Sequence, residues 1–140
     1  MSYGSFPLEI LTPERCFYEG EAQALTIATA DGELTVLCGH VPITAPLAVG
    51  SIRICTDGQW REAFQSEGFL EVDRQGVHVF VQACEWQEDI DAARAERAEQ
   101  RARTRLSAAH SQMEVEWTKI ALSRAMCRLR LSQHRGINFH

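Results

Sequence analysis

The stretch VHVFVQACEWQEDIDAARAERA, residues 77–98, changes from one kind of periodicity to another within a few residues. Val77, Val79 and Val81 alternate with other residues, a pattern typical of a half-buried strand. From Ile90 onward the apolar positions recur every three or four residues, which is typical of an amphipathic helix. The stretch therefore predicts that a β domain ends here and a helical segment begins.

Shorter strand patterns fill the chain before this stretch. Phe6, Leu8 and Ile10 alternate in the same way, and Ile52 and Ile54 form a second set. Turns that contain glycine separate the strands at residues 31–32, 57–58 and 74–76. Such turns tolerate the positive φ angles that tight hairpins require. Residues 38–47, with one glycine and two prolines, are predicted to form a loop. The pattern predicts an antiparallel β-sandwich or flattened barrel over residues 1–88.

Two helices are predicted after residue 88, and Glu88 or Asp89 is expected to cap the start of the first helix or to complement its free N–H groups by charge. Ser111 and Glu114 have the spacing of a capping box and mark the start of the second helix. The apolar stripe of the first helix consists of Ala95, Ala98, Ala102, Leu106 and Ala109. The stripe of the second helix consists of Val115, Thr118, Leu122, Ala125 and Leu129. A short connection makes the pair an antiparallel hairpin over residues 89–140, so the fold class is mostly β plus α.

The composition narrows the possible functions. The 140 residues carry a net charge of −5, but residues 1–88 carry −9 and residues 89–140 carry +4. The five cysteines are widely spaced and have no paired histidines, so we expect free thiols and no metal site. No apolar run is long enough for a membrane span, and residues 1–10 lack a signal-peptide pattern, which favours a cytosolic chain. Lys119 is the single lysine and has no glycine near it, which excludes a P-loop.

Several segments together resemble the epsilon subunit of F-type ATP synthases. They are LEILTPER (8–15), DGELTVLCGHVPI (31–43), EGFLEV (67–72), EDIDAARA (88–95) and ALSRAMCRLR (121–130). The resemblance extends from Phe6 to Leu131. The sequence departs from it at Cys38, where proline is common in the family, and at Glu67, where glycine is common.

The resemblance implies a non-catalytic subunit of the rotor, the central stalk that couples proton flow to ATP synthesis. Its implied partners are the gamma subunit, the ring of c subunits and the alpha/beta catalytic head. No cofactor is required. The resemblance also implies a peripheral location on the cytoplasmic face of the membrane, held there by the complex, and a mobile helical hairpin that restrains ATP hydrolysis.

A regulatory ATP site follows from the same resemblance, because the family motif I/L-D-x-x-R-A occurs here as residues 90–95. The spacing of Asp91, Arg94 and Arg101 places them on one helical face, and guanidinium groups are suited to phosphates. The full candidate set is Glu85, Asp91, Arg94, Arg101, Arg124 and Arg128. The alternative is that Asp91 and Arg94 form an ordinary surface ion pair.

The arginine-rich hairpin also has alternative interpretations. It could be a solvated surface, a nucleic-acid interface or a surface that meets an acidic protein. The negative overall charge and the absence of aromatic residues among the arginines disfavour nucleic acid. The resemblance favours the third reading, with contacts to the catalytic head. The candidate partner contacts are His40, Arg124, Arg128 and Arg130, although a turn histidine bonded to backbone is the ordinary explanation for His40. A stand-alone cytosolic module that binds a nucleotide or a protein is the alternative function.

Overall fold

A computed structural model describes residues 4–133, which form two compact units that meet between Trp86 and Gln87. The boundary predicted from the sequence lies two residues later. The described residues of the first unit form strands and turns, and those of the second form a short 3₁₀ turn and two long helices. The predicted order, a β-sandwich followed by a helical hairpin, is confirmed.

Between residues 4 and 86 the chain forms ten strands. They are β1 (Phe6–Leu11), β2 (Cys16–Ala22), β3 (Ala24–Thr29), β4 (Gly32–Leu37), β5 (Ile43–Leu47), β6 (Gly50–Thr56), β7 (Gln59–Gln65), β8 (Gly68–Asp73), β9 (Gly76–Val81) and β10 (Cys84–Trp86).

The strands pair in the order β10-β7-β6-β3-β5-β8-β9-β1-β2, and β4 pairs with the other edge of β3. All pairs are antiparallel except β1 with β9. The two ends of this path approach each other, since the ring of Phe17 on β2 lies 4.6 Å from that of Trp86 on β10. The sheet therefore closes almost completely, and its last contact is made by side chains.

The core follows the alternation of the sequence. The side chains of Phe6, Leu8 and Ile10 are buried, and the three valines of β9 at positions 77, 79 and 81 are buried with them. Burying one face of each strand removes apolar area from water at about 25 cal/mol per Å². The predicted interior of the sandwich is thus confirmed at these positions.

The hairpin turns also agree with the sequence. Asp57 and Gly58, between β6 and β7, both have positive φ angles of 53° and 75°. That combination is typical of the type I′ turn, which matches the twist of the two strands it joins. Gly32 and Gly76 have positive φ at the other two predicted turns.

The prediction of a loop over residues 38–47 was wrong in its second half. Residues Ile43–Leu47 form β5, which pairs with β8 along its whole length. Pro46 lies inside this strand, opposite Phe69. Proline is tolerated in a strand where its missing N–H is not needed by the ladder. Beyond β8, β5 meets β3 only at Leu47, so its other edge can accept a proline.

The second unit begins with a 3₁₀ turn, Gln87–Asp89, and continues with α1 (Ala92–Ser107) and α2 (Gln112–Gln133). The N-cap of α1 is Asp91, whose carboxylate accepts a hydrogen bond from the backbone N–H of Arg94 at 3.1 Å. The expectation that Glu88 or Asp89 caps the helix was therefore wrong. Those two acids lie in the 3₁₀ turn, and α1 begins only after it, at Ala92.

The two helices pack against each other through small side chains. Ala95 and Ala102 are the buried residues of α1, and Ala125 is buried on α2. Ser111 accepts from the N–H of Glu114 at 3.1 Å, and the Glu114 carboxylate accepts from the N–H of His110 at 2.9 Å, so the predicted capping box forms with its return bond shifted by one residue. Among residues 4–133, no helix is long and apolar enough to cross a bilayer.

Candidate functional site

The first part of the predicted nucleotide site lies at the start of α1. Asp91, Arg94 and Arg101 are all exposed along this helix. One oxygen of Asp91 caps the helix through the N–H of Arg94. Asp91 is therefore a helix cap. The sequence had suggested either an ATP ligand or a partner in an ion pair, and neither of these includes capping. The arginine side chains project from a helix whose first turn is fixed by this cap.

The second part lies on α2. Arg124 and Arg128 are half-buried and four residues apart, on one face of the helix. Burial lowers the pKa of the Arg124 guanidinium, and the positive charge of Arg128 lowers it further. Two guanidinium groups held this close disfavour each other's charge. An anion bound beside them would relieve that repulsion.

Because the two helices are antiparallel, part of each set lies at a similar distance from the loop that joins them. Arg94 and Arg124 are about equally far, along their helices, from the loop that joins α1 to α2. Arg94 and Arg124 therefore lie at a similar level of the hairpin, whereas Arg101 lies nearer the loop and Arg128 lies farther from it. Glu85, the remaining member of the predicted set, belongs to β10 of the sandwich unit.

Arg130, a predicted partner contact, is exposed near the end of α2. Its guanidinium donates to the Sγ atom of Cys127 at 3.5 Å. Arg103 on α1 bonds Glu99 one turn earlier, at 3.0 Å. The hairpin surface thus carries arginines with partners in the hairpin, alongside the arginines of the predicted site.

In the sandwich, His40 lies in the turn that follows β4. Its Nδ1 atom is 2.8 Å from the carbonyl oxygen of Val41, which agrees with the ordinary explanation of a turn histidine. The flanking side chains of Leu37 and Val41 are 55% and 66% exposed. An apolar tip of this kind on a short loop is suited to a protein partner. The sequence pattern did not single out these two residues.

The aromatic residues that the sequence left unassigned take different places. Phe64 is completely buried in the core, whereas Phe69 is 45% exposed and stacks on Phe80 with the ring centres 4.8 Å apart. Both stacked residues lie on paired strands, β8 and β9. The stack therefore forms an apolar patch on the outside of the sandwich.

A charged cluster on the sandwich was missed by the sequence reasoning. His78 bridges two carboxylates, with Nδ1 2.7 Å from Glu9 and Nε2 3.3 Å from Asp73. Desolvation lowers the pKa of His78, but the hydrogen bonds and charges of the two acids outweigh it and leave the pKa raised. Glu9 is far from His78 in sequence and is brought to it by the parallel pairing of β1 with β9, whereas Asp73 reaches it across the β8–β9 hairpin.

A second missed cluster surrounds Trp86. The guanidinium of Arg61 lies 3.5 Å from the centre of the Trp86 ring, and the ring of Tyr18 meets it edge-on. Cation–π and aromatic contacts of this kind each contribute about 0.5–1.5 kcal/mol. They fix the last residue of the sandwich unit immediately before the helical unit begins.

Within the part of the chain that the structure describes, no group of His, Cys, Asp and Glu side chains is arranged to hold a metal ion. The thiol of Cys84 is buried, and burial raises its pKa to about 12. A thiol with so high a pKa is a poor nucleophile at neutral pH.

Comparison with known proteins identifies both units. The family model of the β-sandwich domain of the ATP synthase delta/epsilon chain matches residues 5–87, and that of its long α-helix domain matches residues 88–133. The ATP synthase epsilon chain of Caldanaerobacter subterraneus is 44% identical over 129 residues, which cover 91% of this chain and 94% of the relative. The epsilon chain of Ruminiclostridium cellulolyticum is 41% identical over 131 residues, covering 94% and 98%.

Solved structures agree with these relatives. A chain in the mitochondrial ATP synthase of Euglena gracilis, from a structure of its OSCP, F1 and c-ring, matches with a TM-score of 0.77 and 25% identity, over 93% of this chain and 82% of that one. A chain of the Tetrahymena thermophila central stalk and c-ring has the same fold at 12% identity, with a TM-score of 0.68 over 94% and 99% of the two chains. Two matching domain models in the expected order and relatives above 40% identity over nearly the whole chain show that this chain belongs to the ATP synthase delta/epsilon chain family.

Proposed function

We propose that this chain is a non-catalytic subunit of the central stalk of an F-type ATP synthase and couples proton translocation to ATP synthesis. The observation that carries the proposal is the match of both units, in order, to the two domains of the epsilon chain. The Euglena relative is part of an assembly with F1 and a c-ring. The gamma subunit, the c-ring and the alpha/beta head are accordingly the partners of this chain.

The sandwich supplies apolar surfaces for such partners. Leu37 and Val41 form an exposed tip around His40, and the stack of Phe69 on Phe80 forms a patch on the strands. Exposed apolar groups of this size favour protein contacts because burying them removes apolar area from water. In this proposal the chain lies at the cytoplasmic face of the membrane, held there by the complex.

The helical hairpin restrains ATP hydrolysis by leaving its compact form. The buried residues of α1 on its packing face are alanines, which bury little area for each residue. Helices of this length gain most of their stability from such packing, so the compact and opened forms differ by only a few kcal/mol. In the opened form, Arg124, Arg128 and Arg130 meet acidic groups of the catalytic head.

ATP stabilises the compact form. Arg94 and Arg124 lie at a similar level of the two helices, and the mutual repulsion of Arg124 and Arg128 is relieved by a polyphosphate. A ligand that binds only the compact form stabilises it by about 2.7 kcal/mol at a hundredfold excess over Kd. That amount is enough to decide an equilibrium between forms a few kcal/mol apart.

Calorimetric titration of the isolated chain with ATP tests the sensing step. We expect binding, and we expect Arg94→Ala and Arg128→Ala each to weaken it at least tenfold, because each removes a charge-assisted contact to phosphate worth about 1.5–3 kcal/mol. Arg97→Ala is the matched control, since Arg97 is also an exposed arginine of α1 but lies outside the predicted set. No heat at millimolar ATP, or equal losses in all three variants, would contradict the proposal.

Isolation of the complex from membranes tests the stalk assignment. Recovery of this chain with gamma, alpha and beta subunits is expected. A stand-alone nucleotide-binding or protein-interaction module would instead be recovered free of them. Consistent absence of the chain from an otherwise complete ATP synthase would therefore refute the assignment.

A further inference from the structure

The segment at residues 87–91, here called the root segment, contacts both helices of the hairpin. Gln87–Asp89 forms the 3₁₀ turn, closed by a bond from the N–H of Ile90 to the carbonyl of Gln87. This turn packs against α2. Asp91 ends the segment and starts α1. Five consecutive residues thus connect the beginning of one helix with the end of the other.

Each end of the root segment satisfies backbone groups that a helix leaves unpaired. Asp91 accepts from the N–H of Arg94, in the first turn of α1, at 3.1 Å. The side-chain amide of Gln87 donates to the carbonyl of Leu131, in the last turn of α2, at 2.8 Å. The first N–H groups and the last carbonyls of a helix have no partner within it, so both contacts act as caps.

Apolar burial accompanies these caps. Ile90 of the root segment is buried, and so are Cys127 and Leu131, which lie one turn apart on the same face of α2. This face differs from the stripe of α2 that includes Ala125. The last turns of α2 therefore bury a second face, at the end of the helix that packs against the root segment.

We propose that the root segment is a latch that holds the C-terminal end of α2 and must release it before the hairpin can open. The proposal rests on the opening hairpin of the proposed function and names the contact that controls it. At one end of the hairpin the helices are joined by the chain itself, between Ser107 and Gln112. At the other end, the Gln87 amide holds the carbonyl of Leu131, and the turn Gln87–Asp89 packs against α2, whose Cys127 and Leu131 are buried there.

The latch contributes strongly to closing the hairpin because the buried residues of α1 are alanines, which bury little apolar area. Leu131 and Ile90 are larger than the alanines that line the middle of the hairpin, so they bury more apolar area per residue. The Gln87 bond also holds a helix end, where fraying begins. Loss of the bond therefore shifts the opening equilibrium of α2 without touching the core of the sandwich.

The native cysteines provide the assay. In the isolated full-length chain without ATP, the rate of alkylation of each cysteine is measured by mass spectrometry. Cys127 is 3% exposed and reports opening at the latch. Cys16 and Cys38 are exposed and calibrate the reagent, whereas the buried Cys55 and Cys84 report on the sandwich.

Two variants remove the amide donor of Gln87 in different ways. Gln87→Leu deletes it, and Gln87→Glu keeps the shape of the side chain but presents only acceptor oxygens to the Leu131 carbonyl. Both are expected to raise the alkylation rate of Cys127 by about threefold to tenfold, the range set by the net worth of one hydrogen bond. Gln100→Leu, which changes an exposed glutamine of α1, is the control and is expected to leave the rate unchanged.

The outcome separates this proposal from the proposed function. An unchanged Cys127 rate in both Gln87 variants would overturn the latch, and so would a rise in Cys127 that is matched by Cys55 and Cys84, because opening would then not be local. The assay uses neither ATP nor the complex. If ATP binding or hydrolysis control failed, the result of the alkylation assay would still stand. If the alkylation assay failed, the tests of ATP binding and hydrolysis control would be unaffected.

Discussion

At the scale of single residues, His78 shows how the sandwich uses charge. Its ring joins Glu9 of β1 to Asp73 at the end of β8. The N–H of Gln75, in the β8–β9 turn, is the main cause of the lowered pKa of Asp73, and hydrogen bonding and charge from His78 lower it further. A single histidine therefore ties the parallel pair β1–β9 to the adjacent hairpin turn.

This arrangement gives a pH dependence of stability with a definite sign. The folded pKa of His78 is raised above its ordinary 6.5, so its contribution is fully present below that value and is lost as the pH rises through the folded pKa. The folded pKa of Asp73 is lowered below 3.8, so its contribution is present above that value and is lost only in acid. Between these limits the cluster contributes most.

We therefore expect His78→Gln to lower the free energy of unfolding by about 0.5–1 kcal/mol near pH 5.5 and by much less near pH 8.5. Urea unfolding of wild type and variant at both pH values measures the difference. In a Glu9→Gln background the same substitution should lose most of its pH dependence, because the main partner of the ring is gone. A difference that is equal at both pH values would contradict this account.

At the scale of elements, the alanine face of α1 sets how firmly the hairpin closes. Ala95 and Ala102 are buried at the packing face, where α1 meets α2. Small residues let two helices approach closely but leave little apolar area to bury. The two helices are consequently well formed but only weakly packed against each other, which suits the opening hairpin of the proposed function.

Ala102→Leu tests this view of the element. The larger side chain cannot fit the close approach, and overpacking of this kind costs about 1–3 kcal/mol. Amide hydrogen exchange along α1 and α2 is expected to accelerate about tenfold or more, while exchange in the sandwich stays unchanged. Ala93→Leu, at an exposed position of α1, is the control and should leave exchange unaltered. Equal exchange in both variants would show that the alanine face does not hold the hairpin.

At the scale of the whole molecule, the main apolar core lies in the sandwich unit. The main apolar core includes only residues from Phe6 to Cys84, with Trp86 packed against it. Arg61 and Phe17 hold Trp86 in the sandwich. Among the described residues, every member of this core belongs to the sandwich unit.

We expect a chain ending after Glu88 to fold and to join the complex, since its core is intact. Its thermal unfolding should show a single cooperative transition. If the hairpin restrains hydrolysis as proposed, ATP synthase assembled with this shortened chain should hydrolyse ATP faster than the complete enzyme. The full-length chain added to the same enzyme preparation is the control. Equal hydrolysis rates would remove the regulatory part of the proposed function and leave the coupling role intact.

Much of this architecture could be predicted because local patterns agree with the tertiary structure. The alternation of β1 and β9, the Asp57–Gly58 turn and the alanine face of α1 all follow from periodicity and turn chemistry. Strand β5 could not be predicted, because Pro46 signals a loop unless a neighbouring strand and an undemanding edge are present. Likewise Asp91, rather than an earlier acid, became the cap because a 3₁₀ turn precedes the helix.

The candidate site divides in the same way. The sequence by itself determined which residues carry suitable charge, since the spacing of Asp91, Arg94 and Arg101 along a helix depends only on local geometry. Tertiary structure alone decided that Arg124 is half-buried beside Arg128, that His78 bonds the distant Glu9, and that Gln87 caps the end of α2. The physical reason is that periodicity is a property of neighbouring residues, whereas burial and long-range hydrogen bonds exist only after distant segments have packed together.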